Sequence, residues 1–183
     1  MKCIKRMRIK LAIMVLMTGA LLQGCAKTET NADHSNDIPD KQIHSVYLAS
    51  PFFNETEIEN VVYVEKILKD KGLTYFSPMR HKAKGEPGTL DWAKGIFEMD
   101  IDEIDKADAV VVLNYGSYSD SGTAWECGYA TGIGKPVILV HVNRNGDSNL
   151  MMHCGSTTNI YLDELKDFDF ETMPVYDYHG EMM

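Results

Sequence analysis

The sequence has few cysteines and no long hydrophobic run, and each shortage excludes a class of protein. Its 183 residues contain four cysteines, no Cys-x-x-Cys pair and no histidines at metal-ligand spacing. A disulfide-dense scaffold and a structural zinc site are therefore excluded. The apolar stretch at residues 11–22 would span only about 18 Å as a helix, whereas the hydrocarbon core of a membrane is ~30 Å thick. No transmembrane helix is predicted there.

Basic residues are also scarce. Lysine and arginine number 18 against 27 aspartates and glutamates, which gives a formal net charge of −9. Residues 1–24 hold five of the basic residues and no acidic one, so without them the charge would be −14. Such a surface repels nucleic-acid backbones and offers anionic lipid no broad cationic face. A nucleic-acid polymer is therefore excluded as a partner, and a small neutral molecule is the better ligand.

Residues 1–24 are predicted to be a targeting segment. A basic stretch from Lys2 to Lys10 precedes the apolar residues 11–22, and the segment ends in Leu22-Gln23-Gly24-Cys25. This order is typical of a signal peptide, and its end resembles the lipobox of bacterial lipoproteins, in which the cysteine is lipidated. We therefore expect Cys25 to anchor the protein to the extracytoplasmic side of a bacterial cell membrane. A plain secretory signal, or a misassigned start before a cytoplasmic protein, is the alternative.

The remaining chain divides into a tether and one domain. Residues 25–42 are polar without an apolar period, which predicts a flexible tether after the lipidated cysteine. Residues 43–183 alternate strand-like and helix-like segments in the order β-α-β-α-β-α-β-β-α with mostly short connections. The alternation predicts a single flavodoxin-like or Rossmann-like α/β domain, with a mostly parallel five-stranded sheet and helices on both faces.

Several local features of this domain can be predicted. Asn54 is expected to cap the first helix and Gly72 to end it. The second helix, at about residues 91–106, should bury Phe97, Ile101 and Ile104. A short last helix is expected at about residues 163–168. Trp125 and Cys127 are assigned to packing, and His81, His153 and His179 to solvated loops or tail.

The most informative stretch runs from Asp120 to Ala130, directly after the apolar segment at residues 109–113. In βαβ units, ligands bind outside the carboxyl ends of the strands, where Asp120 and Glu126 would lie. With Asp120 or Ser121 as the N-cap, Glu126 falls about one and a half turns into the helix, on the face of Gly122. The small residue leaves room for a ligand against the carboxylate. The alternative is an ordinary surface helix with a solvated glutamate.

The spacing Asp-x-Gly-x-x-x-Glu-x-Gly-x-Ala resembles the nucleoside 2-deoxyribosyltransferase family. Further segments resemble that family in the same order, so the resemblance covers nearly the whole domain from Val46 onward. They are residues 47–53, the run from Asp100 to Val112, Asn149-Leu150-Met151 and the aromatic tail around Tyr176 and Tyr178, which in the family closes the pocket.

The resemblance implies an enzyme that transfers a 2-deoxyribosyl group between nucleobases with retention and without cofactor or metal. Glu126 would form the covalent glycosyl intermediate. Asp100 would line the base pocket and serve proton transfer, while Asp120 would bind the sugar hydroxyls and assist. Tyr47 would hold the rotamer of Glu126, although a half-buried strand tyrosine is nearly as good an interpretation.

The resemblance also implies substrate-binding residues and an assembly. Phe52 would stack on the base, whereas plain core packing suits Phe53 better, and Gly122 leaves space beside the nucleophile. Asn149 and Met151 would be lent to the active site of a neighbouring subunit, which implies a homo-oligomer, either hexamer or dimer. The expected partners are deoxyribonucleosides and free nucleobases; purine or pyrimidine preference is left open.

Three other functions are compatible with the fold. The first is an N-glycoside hydrolase of deoxynucleosides or their 5′-monophosphates, which would share the nucleophile but need a phosphate cradle near the first loop. The second is a non-catalytic nucleoside-binding surface lipoprotein, which would not need Glu126 and its carboxylate partners. The third is a flavodoxin-like electron carrier, which would need a Ser/Thr-rich loop after the first strand. The transferase accounts for more of the sequence than any of them.

Overall fold

Five apolar segments form one fully parallel sheet in the computed structural model. In spatial order, the strands are β2 (Thr74–Phe76), β1 (Ser45–Ala49), β3 (Ala109–Asn114), β4 (Val137–His141) and β5 (Thr158–Tyr161). The structure describes residues 42–176 and 178–183, so the predicted targeting segment, Cys25 and nearly all of the tether lie outside the described residues. Within the described ranges, no helix has the length and apolarity needed to cross a membrane.

The first and third helices begin after capping residues predicted for them, and the first ends just before the predicted glycine. They are α1 (Glu55–Asp70), α2 (Leu90–Lys106), α3 (Ser121–Gly132) and α4 (Leu150–Gly155), with a single 3₁₀ turn at Pro78–Arg80. Asn54 Oδ1 accepts a hydrogen bond from the backbone N–H of Glu57 at 3.0 Å, as expected of an N-cap. Gly72 follows α1 with φ at 76°, a left-handed conformation that glycine adopts without strain.

Helices cover both faces of the sheet, which confirms the predicted fold class. On one face α1 buries Val61, Val64 and Leu68 against the strands, together with the C-terminal segment. On the other face lie α2, α3 and α4, which contribute Ile104, Cys127, Ala130 and Met152. All six residues of β3 are buried, since helices lie above and below it.

Two predictions about the helices are wrong. Residues 163–168 form successive turns rather than a helix: Leu165 N–H bonds to Leu162 O and Phe168 N–H to Leu165 O. This three-residue spacing still places both side chains in the core. Phe97 is 54% exposed, although Ile104 on the same helix is fully buried. Phe97 lies two turns before Ile104, and its ring packs against the exposed Trp125 of α3 instead of entering the core.

The strand order places a crevice at the carboxyl ends of β1 and β3. The chain runs from β1 outward to β2 on one side and then returns to β3 on the other side of β1. The connections that leave the carboxyl ends of β1 and β3 therefore diverge to opposite faces. In open α/β sheets such a switch point is where ligands bind.

Candidate active site

A cavity of about 690 Å³ lies at this switch point. Its wall combines the loop after β1, the segment after β2, one side of α2 and the first turns of α3. The lining residues include Ser50, Pro51, Phe52, Phe53, Pro78, Met79, His81, Lys82, Trp92, Ile96, Asp100, Asp120, Gly122, Thr123 and Glu126. Five of the eight residues predicted from sequence to be catalytic or substrate-binding line this cavity: Phe52, Asp100, Asp120, Gly122 and Glu126.

Glu126 points into the cavity because α3 begins at a defined residue. Asp120 caps the helix: its Oδ2 accepts hydrogen bonds from the backbone N–H of Thr123 at 2.8 Å and from the Thr123 hydroxyl at 3.1 Å. Glu126 lies six residues after the cap. Its Oε1 accepts a hydrogen bond from the hydroxyl of Tyr47 at 2.7 Å. Tyr47 is fully buried in β1, so the hydrogen bond predicted from sequence is present and is made from beneath the cavity floor.

Burial shifts the pKa values of both central carboxyls upward. The pKa of Glu126 rises to about 7, mainly through burial; the charges of Asp100 and Asp120 add to this, while the Tyr47 hydrogen bond opposes it. The pKa of Asp100 rises to about 6, again through burial and against the Tyr47 hydroxyl. The pKa of Tyr47 is raised well above its ordinary value by burial and by both carboxylates, so it remains a donor. Near neutral pH, one carboxyl can hold a proton while the other is ionised.

Asp100 reaches the cavity from α2. Trp92, Ile96 and Asp100 follow one another at four-residue spacing and therefore line the cavity from one side of the helix. Asp100 Oδ1 is buried and has no hydrogen-bond partner among the described residues. A buried polar atom without a partner is costly, and a ligand that supplies the partner removes this cost. Asp100 is therefore in a position to exchange a proton with a bound molecule.

Asp120 and Gly122 shape the entrance to Glu126. Because Asp120 Oδ2 is used in capping α3, only Oδ1 is available to a ligand. A Cβ atom on Gly122 would lie 3.0 Å from Asp120 Oδ2, closer than carbon and oxygen normally approach. Glycine at this position therefore keeps the cap in place and leaves open the space in front of Glu126.

Two aromatic rings follow β1 at the cavity. The rings of Phe52 and Phe53 stack with centroids 5.8 Å apart and planes at 21°, and both line the cavity. The prediction that Phe53 packs in the core is wrong, because its side chain is 76% exposed. Both residues come after the end of β1 at Ala49, and their rings lie at the cavity and not in the core. A planar ligand can contact either ring.

Sequence reasoning missed His81 and Trp92. His81 was predicted to be a solvated loop residue, but its ring lines the cavity and stacks on Phe76 with centroids 4.1 Å apart. Trp92 carried a signal that could have been used, since it lies two helical turns before Asp100. His81 carried none, because its position depends on the path of the connection after β2.

Asn149 and Met151 do not line the cavity of their own chain. Asn149 caps α4, where its Oδ1 accepts hydrogen bonds from the N–H groups of Met151 at 3.0 Å and Met152 at 3.2 Å. Met151 is 74% exposed. Their placement in a neighbouring subunit's site stays a prediction.

The aromatic tail also lies elsewhere. Tyr178 stacks on His141 with centroids 4.1 Å apart and contacts His153, beyond the carboxyl end of β4 and not at the cavity. The tail therefore does not close the pocket of its own chain, and the expectation that it closes an active-site pocket stays a prediction. His153 is half-buried in this ring cluster rather than solvated, and burial lowers its pKa. In the described part of the chain, no group of three or more His, Cys, Asp or Glu side chains is arranged to hold a metal ion.

Comparisons with known proteins agree with this geometry. Residues 46–159 match the family model described as nucleoside 2-deoxyribosyltransferase. A nucleoside deoxyribosyltransferase from Limosilactobacillus fermentum is 26% identical over 143 residues, which cover 68% of this chain and 85% of that protein. The solved structure of a 2-deoxyribosyltransferase from Bacillus psychrosaccharolyticus is 34% identical and superposes with a TM-score of 0.68, covering 74% of this chain and 99% of that one. These similarities identify the chain as an enzyme that belongs to the nucleoside 2-deoxyribosyltransferase family.

Proposed function

We propose that the protein transfers the 2-deoxyribosyl group of a deoxyribonucleoside to a free nucleobase through a covalent ester on Glu126. One observation carries the mechanism. The cavity holds Glu126, fixed by the Tyr47 hydrogen bond, together with Asp100, and burial raises the pKa values of these carboxyls to about 7 and about 6, so the pair holds one proton between these pH values. The reactive state is the one in which Asp100 carries that proton and Glu126 is ionised. A nucleophile and a proton donor are the two groups that displacement of a nucleobase requires.

In the first step, an oxygen of Glu126 attacks C1′ of the sugar from the face opposite the base. A C–O bond forms, and the C1′–N bond breaks with its electron pair remaining on the nucleobase. A nucleobase anion is a poor leaving group, so Asp100 delivers its proton to a ring nitrogen of the base. Tyr47 keeps its proton throughout, because its pKa is far above neutrality.

In the second step, a ring nitrogen of an acceptor base attacks C1′ and releases Glu126 as a carboxylate. The proton of that nitrogen passes to Asp100, which restores the starting state of the enzyme. Two displacements at the same carbon give net retention of configuration. Water in place of the acceptor base would hydrolyse the same ester. Transfer and hydrolysis therefore use the same residues up to the formation of that ester.

The cavity walls suit the two halves of the substrate. The rings of Phe52, Phe53 and Trp92 offer flat apolar surfaces that a nucleobase can stack on. Glu126 and Oδ1 of Asp120 lie at the polar end, where the sugar hydroxyls would be bound. A volume of about 690 Å³ is within the range of small-molecule sites.

Incubation of the purified protein with deoxyinosine and adenine, followed by chromatography, tests this proposal. Formation of deoxyadenosine and hypoxanthine supports transfer. Hypoxanthine and free deoxyribose, at a rate independent of adenine, would identify a hydrolase instead. Binding of deoxyinosine without turnover would identify a nucleoside-binding protein and overturn the proposal.

We also propose that the enzyme is a homo-oligomer in which Asn149 and Met151 complete a neighbour's site. An aromatic surface made of the exposed Phe97 and Trp125 and the half-buried Tyr129 supports assembly. Trp125 is 47% exposed and its ring lies 5.3 Å from Phe97 and 5.4 Å from Tyr129, centroid to centroid. Contiguous exposed aromatic side chains of this kind mark interaction surfaces.

Phe97→Asp is expected to convert the oligomer to monomers and to reduce transfer at least about tenfold, because a charge on this surface opposes burial. Light scattering and turnover on the chain from Ala26 onward are the measurements. Tyr118→Asp is the matched control, since Tyr118 is 94% exposed and outside this surface. A Phe97→Asp monomer with full activity would contradict the shared site.

Finally, we propose that a lipid on Cys25 holds the enzyme at the extracytoplasmic side of the cell membrane. The basic segment, the apolar stretch and the lipobox-like end support this. Several lipid anchors on one assembly would bind a bilayer far more firmly than one acyl group.

Cys25→Ser is therefore expected to move the protein from the membrane fraction to the soluble fraction, as followed by fractionation and immunoblotting. Cys154→Ser is the control, since Cys154 is an exposed thiol of the folded domain. Wild-type protein found in the soluble fraction would contradict the anchor and leave the transferase proposal unaffected.

A further inference from the structure

Three aromatic rings form a continuous stack that ends at Tyr47. In the sheet register, Tyr47 of β1 is paired with Phe76 of β2, so their side chains lie on the same face. Their ring centroids are 5.7 Å apart with planes at 15°. On the far side of Phe76, the ring of His81 stacks at 4.1 Å with planes at 17°. The stack therefore runs from His81 at the cavity wall to the tyrosine that holds Glu126.

The outer two rings separate Tyr47 from the edge of the sheet. β2 has only three residues and is the edge strand of the sheet formed by the described residues. A surface cleft of about 280 Å³ opens there, and Phe76 and His81 line it whereas Tyr47 does not. Phe76 does not line the larger cavity that contains Glu126. Phe76 therefore contacts Tyr47 without reaching the place where the substrate would bind.

We propose that Phe76 is a positioning residue for the transfer reaction, acting through the ring of Tyr47 on the carboxylate of Glu126. The proposal rests on the proposed function of Glu126 as nucleophile. Tyr47 has two rotatable side-chain bonds, and packing against its ring limits the directions from which its hydroxyl can reach Glu126. A flat ring parallel to it restricts both tilting and rotation, while His81 holds Phe76 from outside. An error of about 1 Å in the placement of a catalytic group can cost about 10²-fold in rate.

The pKa of Glu126 should depend on the same contact. The groups that face this carboxyl are Tyr47, Asp100 and Asp120, and of these only the Tyr47 hydrogen bond lowers its pKa. A Tyr47 ring that is free to tilt would make this hydrogen bond less well. Loss of the Phe76 ring should therefore raise the pKa of Glu126.

The substitution that tests this is Phe76→Leu, which keeps an apolar side chain but removes the flat ring. We expect kcat to fall about tenfold or more, with KM changed less than about twofold, because Phe76 is not part of the cavity wall. Tyr75→Leu is the matched control: Tyr75 is the neighbouring aromatic of β2 and packs on the opposite face of the sheet. The melting temperatures of both variants show how much each substitution lowers the stability of the fold.

A double-substitution cycle identifies the route of the effect. If Phe76 acts through Tyr47, Phe76→Leu should change kcat less than about twofold in a protein that already carries Tyr47→Phe. A full tenfold loss in that background, an equal loss in Tyr75→Leu, or a rise in KM without a fall in kcat would each overturn the proposal.

The titration of Glu126 gives a measurement that needs no turnover. In protein labelled with ¹³C at the glutamate side-chain carboxyl, the resonance assigned to Glu126 by its loss in Glu126→Gln should titrate at higher pH in Phe76→Leu than in wild type or Tyr75→Leu. Equal titrations would overturn the proposal. A wild-type protein with no transferase activity but with this shift would instead refute the proposed function and leave the positioning contact standing.

Discussion

Replacement of Glu126 by glutamine is expected to reduce transfer by at least about 10³-fold. The amide has nearly the shape of the carboxylate and can still meet the Tyr47 hydroxyl, but it cannot form the ester at C1′. Single-turnover mixing of deoxyinosine with enzyme, with detection of released hypoxanthine, measures the first step directly. Glu98→Gln on the exposed side of α2 is the control. Retention of a tenth of wild-type turnover would remove Glu126 from the mechanism.

The same substitution should stabilise the fold, and the sign follows from the pKa. The pKa of Glu126 in the folded chain is about 7, above its ordinary value of 4.5, so the folded state binds this proton more tightly than the unfolded state. The free energy of unfolding therefore falls as pH rises from about 4.5 to 7 and stays low above that range. Glutamine removes this loss.

We expect the melting temperature of Glu126→Gln to exceed that of wild type by about 3 to 6 °C at pH 8 and to match it near pH 4. Calorimetry at the two pH values is the measurement. A variant that is equally active and no more stable at pH 8 would show that this carboxyl is solvated and not the nucleophile. A gain in stability with loss of activity is typical of a residue retained for catalysis.

Replacement of Asp100 by asparagine is expected to lower kcat by about 10² to 10³-fold and to change the pH profile. Wild-type turnover requires one carboxyl ionised for attack and the other protonated for base departure. With pKa values of about 7 and 6 for Glu126 and Asp100, kcat/KM should be greatest between about pH 6 and 7 and fall on both sides. Asparagine cannot deliver a proton, so the alkaline decline should disappear together with most of the rate.

Rate measurements over about pH 5 to 9 test this prediction. Asp102→Asn, two residues along α2 and exposed, is the control and should keep the wild-type profile. Transfer from a deoxynucleoside whose purine is a better leaving group than hypoxanthine should be slowed less by Asp100→Asn, because departure of that base depends less on its protonation. Unchanged kcat with a raised KM would assign the proton transfer to another group.

The part of the site that sequence predicts well is the part built by local rules. Asp120 caps α3 because a short acidic side chain after a strand satisfies the first N–H groups of the helix, and the 3.6-residue period then fixes the direction of Glu126. Asp100 is predicted from the family resemblance rather than from the period of α2, and it lines the cavity.

Residues placed by long-range geometry were not predicted. His81 and Phe53 line the cavity because of the paths of two connections, which no periodicity encodes. Phe97 has the spacing of a buried residue, but its ring lies against the exposed ring of Trp125 on α3. That contact joins two helices, and the period of a single helix does not specify it.

The switch point between β1 and β3 also bears on how the chain folds. Tyr47 and Glu126 are separated by 79 residues, and β1 gains its second neighbour only after β2 and α2 have been passed. Local helices can form in microseconds, whereas parallel pairing across such a loop must first overcome its closure entropy. The hydrogen bond that orients the nucleophile therefore belongs to the late, non-local contacts of folding. A partly folded chain with most of its helices would still lack its active site.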